Sequence, residues 1–382
     1  MAGPIDHGKD QGDEHPMRTR KHLVRLSAAL CTVAGASLLA AGCGSEDSGE
    51  TTTAAAAGGD LPAVKDYLTT HADSLAEQVD VLAANAETYY ELAEAADFDY
   101  DALMEENCEE VSALLAESRD AFVRANPDYE EMEGIVAGVP RLAQYDVDID
   151  AGADASDPEN AVSFSLELPN GETMKQPGNL FFLTETALFG TNEELLADVE
   201  QDADCDGKVE FGQGIPDANT YVATLREFKA QAEALQADAA AFEPTPSDAL
   251  TAITIMTPTM SEYFEAWKNS AFIAGSDAKE EGFVATSRLS DIADILSGIA
   301  FTYAEIEPMI AEEDPQQAKQ TAAQLDELLA YVEGLRDREE AGEKFTGEDA
   351  DTLGSEAQAR AEEIAGQVTQ AAQRLGIELQ DA

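Results

Sequence analysis

The sequence predicts an all-α protein of two antiparallel helical-bundle halves, with a small β-hairpin inserted near residues 162–175. Three observations carry this expectation. Apolar residues recur at three-and-four spacing through most of the chain after residue 60, the pattern of helices with one buried face. The helical stretches are long and their connections short, which suits antiparallel neighbours. One segment breaks the pattern: Val162-Ser-Phe-Ser-Leu-Glu-Leu168 alternates with period two and runs into the turn Pro169-Asn170-Gly171.

Taken in order, the chain begins with a leader. Arg18, Arg20, Lys21 and Arg25 form a compact basic region after Met17, which reads as the true start. From Leu26 to Ala41 every residue is apolar or small, a run of 16 residues. That is short for a transmembrane helix and has the proportions of a signal-peptide core. It stops at Leu39-Ala40-Ala41-Gly42-Cys43, which resembles the lipobox of bacterial lipoproteins. The resemblance implies removal of residues 1–42, a diacylglycerol on Cys43, and anchorage at the extracytoplasmic face of the cell membrane. An ordinary secreted protein cut before a free Cys43 is the competing account. Residues 43–60 follow as a Gly, Ser, Thr, Ala and acid-rich tether with nothing large enough to pack.

The remaining chain divides into a first bundle over 61–212, which contains the hairpin, and a second over 213–382. Helices are expected at 61–96 and at 100–126, where Asn126-Pro127 reads as a stop. Others are expected at 128–138, 179–200, 216–242, 246–272, 277–311, 315–341 and 347–376. An internal echo supports two halves: Tyr129-Glu-Glu-Met-Glu133-Gly-Ile-Val is similar to Tyr303-Ala-Glu-Ile-Glu307-Pro-Met-Ile.

Composition limits the functions open to this chain. From Cys43 onward, 17 Lys and Arg face 74 Asp and Glu, a net charge of −57. Such a surface repels nucleic acid and anionic lipid head groups; solubility or adaptation to high salt accounts for much of it. The four histidines are His7, His15, His22 and His71, so one remains after the leader. A zinc-hydrolase or serine-triad reading would rest on His71 alone, whose place in an amphipathic pattern suits packing or solvent. Cys31 leaves with the leader and Cys43 takes lipid, which leaves Cys108 and Cys205. In an oxidising compartment these read as one disulfide; separate buried thiols are the alternative.

Several segments together resemble the imelysin-like domain of EfeO and EfeM proteins. They are Tyr129–Glu133, Leu142-Ala-Gln-Tyr-Asp146-Val-Asp148-Ile-Asp150, Leu183-Thr-Glu185-Thr-Ala-Leu-Phe-Gly-Thr191, Leu289–Ile299 and Phe345–Leu353. The resemblance implies two helical bundles and a place in envelope iron uptake, with a permease or other uptake component as partner. It also implies a metal site. The family signature HxxE places a histidine and a glutamate on one helix face; here Glu185 keeps the glutamate and Phe182 stands in the histidine's place. The surviving ligand set is Glu133, Asp146, Asp150 and Glu185, all hard oxygen donors suited to iron or another hard di- or trivalent cation. In so acidic a chain, helix capping and solvent exposure are the competing account of these four acids.

A second metal motif stands apart from any family. Asp202-Ala-Asp204-Cys-Asp206-Gly207-Lys208-Val209-Glu210 follows the DxDxDG start of a calcium loop, with the Lys208 carbonyl as a further donor. Gln213 stands where a bidentate glutamate would close the loop. Neither nucleophile–base spacing nor histidine ligands are visible, so the reading is of a binding protein and not an enzyme. A purely structural or interaction lipoprotein with a decayed metal site is the alternative.

Overall fold

A computed structural model describes residues 61–380; the leader, Met17, Cys43 and the tether lie outside the described residues. The fold is all-α apart from one small hairpin. Helix α1 (Pro62–Ala95) and helix α2 (Tyr100–Val136) form an antiparallel pair. Pro62 opens α1 at the position where its missing N–H costs nothing. The three-and-four stripe Leu68, Leu75, Val79, Leu82, Ala86 and Tyr89 is its buried face. Asp99 caps α2 by accepting the Ala102 N–H.

The expected stop at Asn126-Pro127 is overturned, because α2 runs through Pro127 to Val136. Proline in a helix interior frees the carbonyl four residues back, here that of Val123. Val123 is 41% exposed, so water can satisfy that group, while the flanking turns are held by buried Phe122, Ala125 and Tyr129. The break in α2 lies instead at Asn107, whose φ of −125° and ψ of 18° leave the helical region.

Past α2 come a short helix α3 (Ala143–Asp146) and a π-helical turn (Val147–Ala151). The expected hairpin forms, as β1 (Ser165–Glu167) paired antiparallel with β2 (Thr173–Lys175), Leu166 opposite Met174. The alternation works as read: Val162, Phe164, Leu166 and Leu168 are all buried. Helix α4 (Leu180–Phe189) is shorter than the expected 179–200, since Gly190 terminates it in the left-handed conformation with φ 74°.

Helix α5 (Ala218–Ala241) lies along α1 and α4. The expected boundary at 212/213 therefore does not mark a change of packing partners, which comes between α5 and helix α6 (Pro246–Met256). The expected helix 246–272 is interrupted around Pro258, and the chain resumes as α7 (Met260–Asn269) and the single turn α8 (Ala271–Ala274). The expected helix 277–311 starts only at Arg288. Residues 278–287 form an irregular strap before α9 (Arg288–Glu313), which Ser287 caps. Helices α10 (Pro315–Glu340) and α11 (Gly347–Leu375) complete the second group with α6, α7 and α9.

The two groups meet where α2 crosses α9. A β-carbon on Gly298 would lie 2.0 Å from the Glu131 carbonyl oxygen, so only glycine permits this approach. The crossing brings the polar face of α2 against the first turns of α9. The echoed tyrosines lie on these two helices, and both are buried.

Cys108 and Cys205 form the expected disulfide, with Cα atoms 6.3 Å apart. It ties α2, one residue past its break at Asn107, to the acidic loop 202–207. A closed loop of this size stabilises by about 4–5 kcal/mol in the chain-entropy model. Replacing both cysteines by serine should lower the unfolding free energy by a few kcal/mol in a denaturant titration. A variant as stable as the parent would mean that the bridge does not form.

Candidate metal centre

The site grows out of one face of α2. Asn126, Glu130 and Glu133 follow one another at four and three residues, so they share a face that also carries buried apolar side chains. A polar stripe on such a face must find partners. Asn126 donates to Glu130 Oε1 at 3.1 Å and accepts from the Thr286 hydroxyl at 3.0 Å. The Tyr263 hydroxyl on α7 donates to Glu133 Oε1 at 2.7 Å.

The turn after α3 supplies two further acids. Helical winding sends Asp146 and Asp150 to one side and Asp148 to the other. Asp148 is spoken for: it accepts from the N–H and the hydroxyl of Ser163, each at 2.6 Å. Asp146 accepts from the buried Tyr129 hydroxyl at 2.9 Å, while Asp150 faces the cavity. From α9, Arg288 and Asp291 complete the cluster, 3.2 Å apart from Nη1 to Oδ2, with Glu130 Oε1 3.6 Å from the same Nη1. The guanidinium packs over the rings of Tyr263 and Phe283, 4.6 Å from each centroid.

These groups line or underlie a cavity of about 510 Å³ between the two helix groups, walled by Phe122, Phe181, Phe182, Met256 and Phe283. One oxygen each from Glu130, Glu133 and Asp150 lies within 4.8 Å of the others. Such a separation lets all three reach one cation at ordinary metal–oxygen lengths. Two buried oxygens of these residues, Glu130 Oε2 and Glu133 Oε2, have no hydrogen-bond partner.

The chain belongs to the imelysin family. Its sequence profile, Imelysin (Peptidase_M75), matches residues 61–368. No curated protein matches the chain.

Of the four acids expected at the imelysin-type site, Glu133, Asp146 and Asp150 gather here. Glu185 lines the same cavity, but neither of its oxygens is free. Oε2 accepts the Phe283 N–H at 2.7 Å, and Oε1 accepts those of Val284 and Ala285, both at 2.9 Å. Glu185 thus fastens the 278–287 strap, and Phe182 packs near Gly282 beside it. Glu130, Arg288 and Asp291 were missed in the sequence. The signal was there, as charged residues at helical spacing within apolar stripes, but a second charge on α2 reads as one more solvated acid in so acidic a chain. His71 holds Asp128 at 3.3 Å and packs on Tyr67, away from the cavity.

The second motif folds as a compact turn. Asp202, Asp204 and Asp206 each offer an oxygen within 4.8 Å of the others. Asp202 accepts the N–H groups of Asp206 and Gly207, Lys208 pairs with Asp206, and Gln213 accepts the Asp204 N–H. Asp204, Asp206, Lys208 and Glu210 are exposed. Glu210 does not join the converging trio.

Burial raises the carboxyls of the main cluster above their ordinary range, and repulsion from neighbouring acids adds to it for all but Asp150. Glu130 and Asp146 are pushed well up, Glu133 and Asp150 up, and Asp291 to about 6 despite its pairing with Arg288. Glu185 is pushed to about 7 by burial, against the lowering effect of its three N–H donors. A raised folded-state pKa favours the protonated form in the native protein. The stability it adds is complete below the unfolded-state value and is lost as pH rises through the folded one. In chelator, the unfolding free energy should therefore fall between about pH 4 and pH 7.5, by on the order of 2 kcal/mol from Asp291 alone. The double variant Glu133→Gln, Asp146→Asn should flatten that slope. A parent protein whose melting temperature holds or climbs over this range contradicts the assignment.

Proposed function

We propose that this protein is a lipid-anchored, extracytoplasmic metal-binding component of an envelope uptake system, of the EfeO/EfeM type, with iron as cargo and a permease or other envelope component as partner. The observation that carries the reading is the trio Glu130, Glu133 and Asp150, three buried or part-buried carboxylates whose oxygens converge within 4.8 Å, two of them with one oxygen unpaired. Unpaired buried carboxylate oxygens are costly, and a cation is the partner that satisfies several at once. The all-oxygen donor set suits iron, manganese, magnesium or calcium better than zinc. The same residues supply no nucleophile beside a base, so binding and not peptide hydrolysis is the proposed activity.

The cavity between the two helix groups gives the ion a route in. Asp146, held by Tyr129, stands ready as a further donor, and Glu185 keeps the strap in place. The Asp202, Asp204, Asp206 turn is proposed as a separate, weaker calcium site. The interaction-lipoprotein alternative draws support from Phe182 in the histidine's place and from the full occupation of Glu185 by backbone.

Calorimetry on the mature protein in chelator-treated buffer decides between them. Manganese or ferrous ion should bind one buried site. Glu133→Gln and Asp150→Asn should each weaken that binding at least about tenfold, since loss of even a group that supports a ligand typically costs about ten- to a hundredfold. Glu185→Gln should weaken it less, and Asp204→Asn should remove only a calcium response. If no ion binds at millimolar concentration, the alternative is the better account.

Anchorage rests on Cys43. Cys43→Ser should release the protein from the membrane fraction or leave an unprocessed precursor. A variant with unchanged fractionation and mass would exclude the lipid.

A further inference from the structure

The cluster already contains a cation. Arg288 opens α9 directly after the strap, and only 5% of its surface is exposed. The guanidinium packs over the rings of both Tyr263 and Phe283. Nη1 reaches both Asp291 and Glu130, and Nε has no partner. A guanidinium does not lose its proton in a protein, and here it cannot swing away without leaving both rings. One of the three converging carboxylates, Glu130, is therefore shared between the trio and a fixed positive charge.

Any ion held by Glu130, Glu133 and Asp150 must sit beside that charge. Coulomb repulsion between the two grows in proportion to the charge of the ion. When ionised, Glu130, Glu133, Asp146, Asp150 and Asp291 carry five negative charges, of which Arg288 offsets one. We infer that Arg288 tunes the cation class of this site, penalising trivalent ions more than divalent ones. The inference rests on the metal reading proposed above and adds to it a residue that touches no metal. Arg288 acts through charge, as a tethered competitor for Glu130, while Tyr263 and Phe283 hold it in place. A purely structural role, balancing Asp291, would require some residue of this shape but would give no dependence on ion charge.

The test compares manganese(II), by calorimetry, with terbium(III), by tyrosine-sensitised luminescence, since Tyr129 and Tyr263 both contact site carboxylates. All proteins carry Asp204→Asn to silence the exposed turn. Arg288→Gln should tighten manganese about tenfold and terbium about thirtyfold, because the gain in log affinity scales with ion charge. Arg288→Lys, which keeps the charge, should stay within about twofold of the parent for both ions. Equal gains for the two ions, or a loss for both, would overturn the inference and leave the metal site standing. If neither ion responds to Glu133→Gln in the parent background, the metal reading itself fails, and this inference with it. Should Arg288→Gln not fold, the parent labelled with ¹⁵N-arginine provides the measurement. The Nε–H signal missing from Arg288→Lys must shift on saturation with magnesium(II), and shift further with lanthanum(III); an unmoved signal overturns the inference.

Discussion

The arrangement of this protein turns on one electrostatic problem: five carboxyls, Glu130, Glu133, Asp146, Asp150 and Asp291, gathered around a single guanidinium between two groups of helices. Charges taken out of water are tolerated only when paired and hydrogen-bonded. Here the pairing is incomplete, since Arg288 serves Asp291 and Glu130, the Asn126 amide also serves Glu130, and the Tyr129 and Tyr263 hydroxyls serve Asp146 and Glu133. The remaining negative charge is held in place by the surrounding packing, and that packing is what the rest of the fold supplies.

Two devices do most of this. The crossing of α2 and α9 is closer than side chains allow, because Gly298 meets backbone where any other residue would collide. That closeness sets acids of one helix against the arginine of the other. The strap is the second device. Its three successive N–H groups converge on Glu185, which fixes Phe283 over the guanidinium and closes one wall of the cavity. The glutamate of the family signature has thus been given to the backbone, and the phenylalanine three residues earlier fills the wall where a histidine would have offered a nitrogen.

Much of this was legible in the sequence. Three-and-four spacing located the long helices, strict alternation at Val162–Leu168 located the hairpin, and cysteine arithmetic identified the bridge. What escaped has specific causes. Pro127 argues locally for a stop, yet burial of Phe122, Ala125 and Tyr129 on either side outweighs one lost hydrogen bond. The strap has a helical composition, but its backbone donors find a better acceptor in Glu185, nearly a hundred residues away. For the site, Glu133, Asp146 and Asp150 could be named in advance, as the acids that the family resemblance implied. Glu130 and Asp291 lie in resembling segments too, and Arg288 borders one, but their importance comes from the crossing of two helices distant in sequence.

The disulfide has a consequence for the order in which the parts come together. Residues 108–205 form one covalent ring, and Glu130, Glu133, Asp146, Asp150 and Glu185 all lie inside it. Arg288 and Asp291 lie outside, more than eighty residues later. A chain emerging from its N-terminus thus holds every acid of the first half before it holds the cation that offsets them. Until α9 arrives, the ring encloses mutually repelling groups that can be relieved only by protons, by water or by ions from the surroundings. The second half of the molecule is then more than a companion bundle: it delivers the counter-charge that lets the first half close.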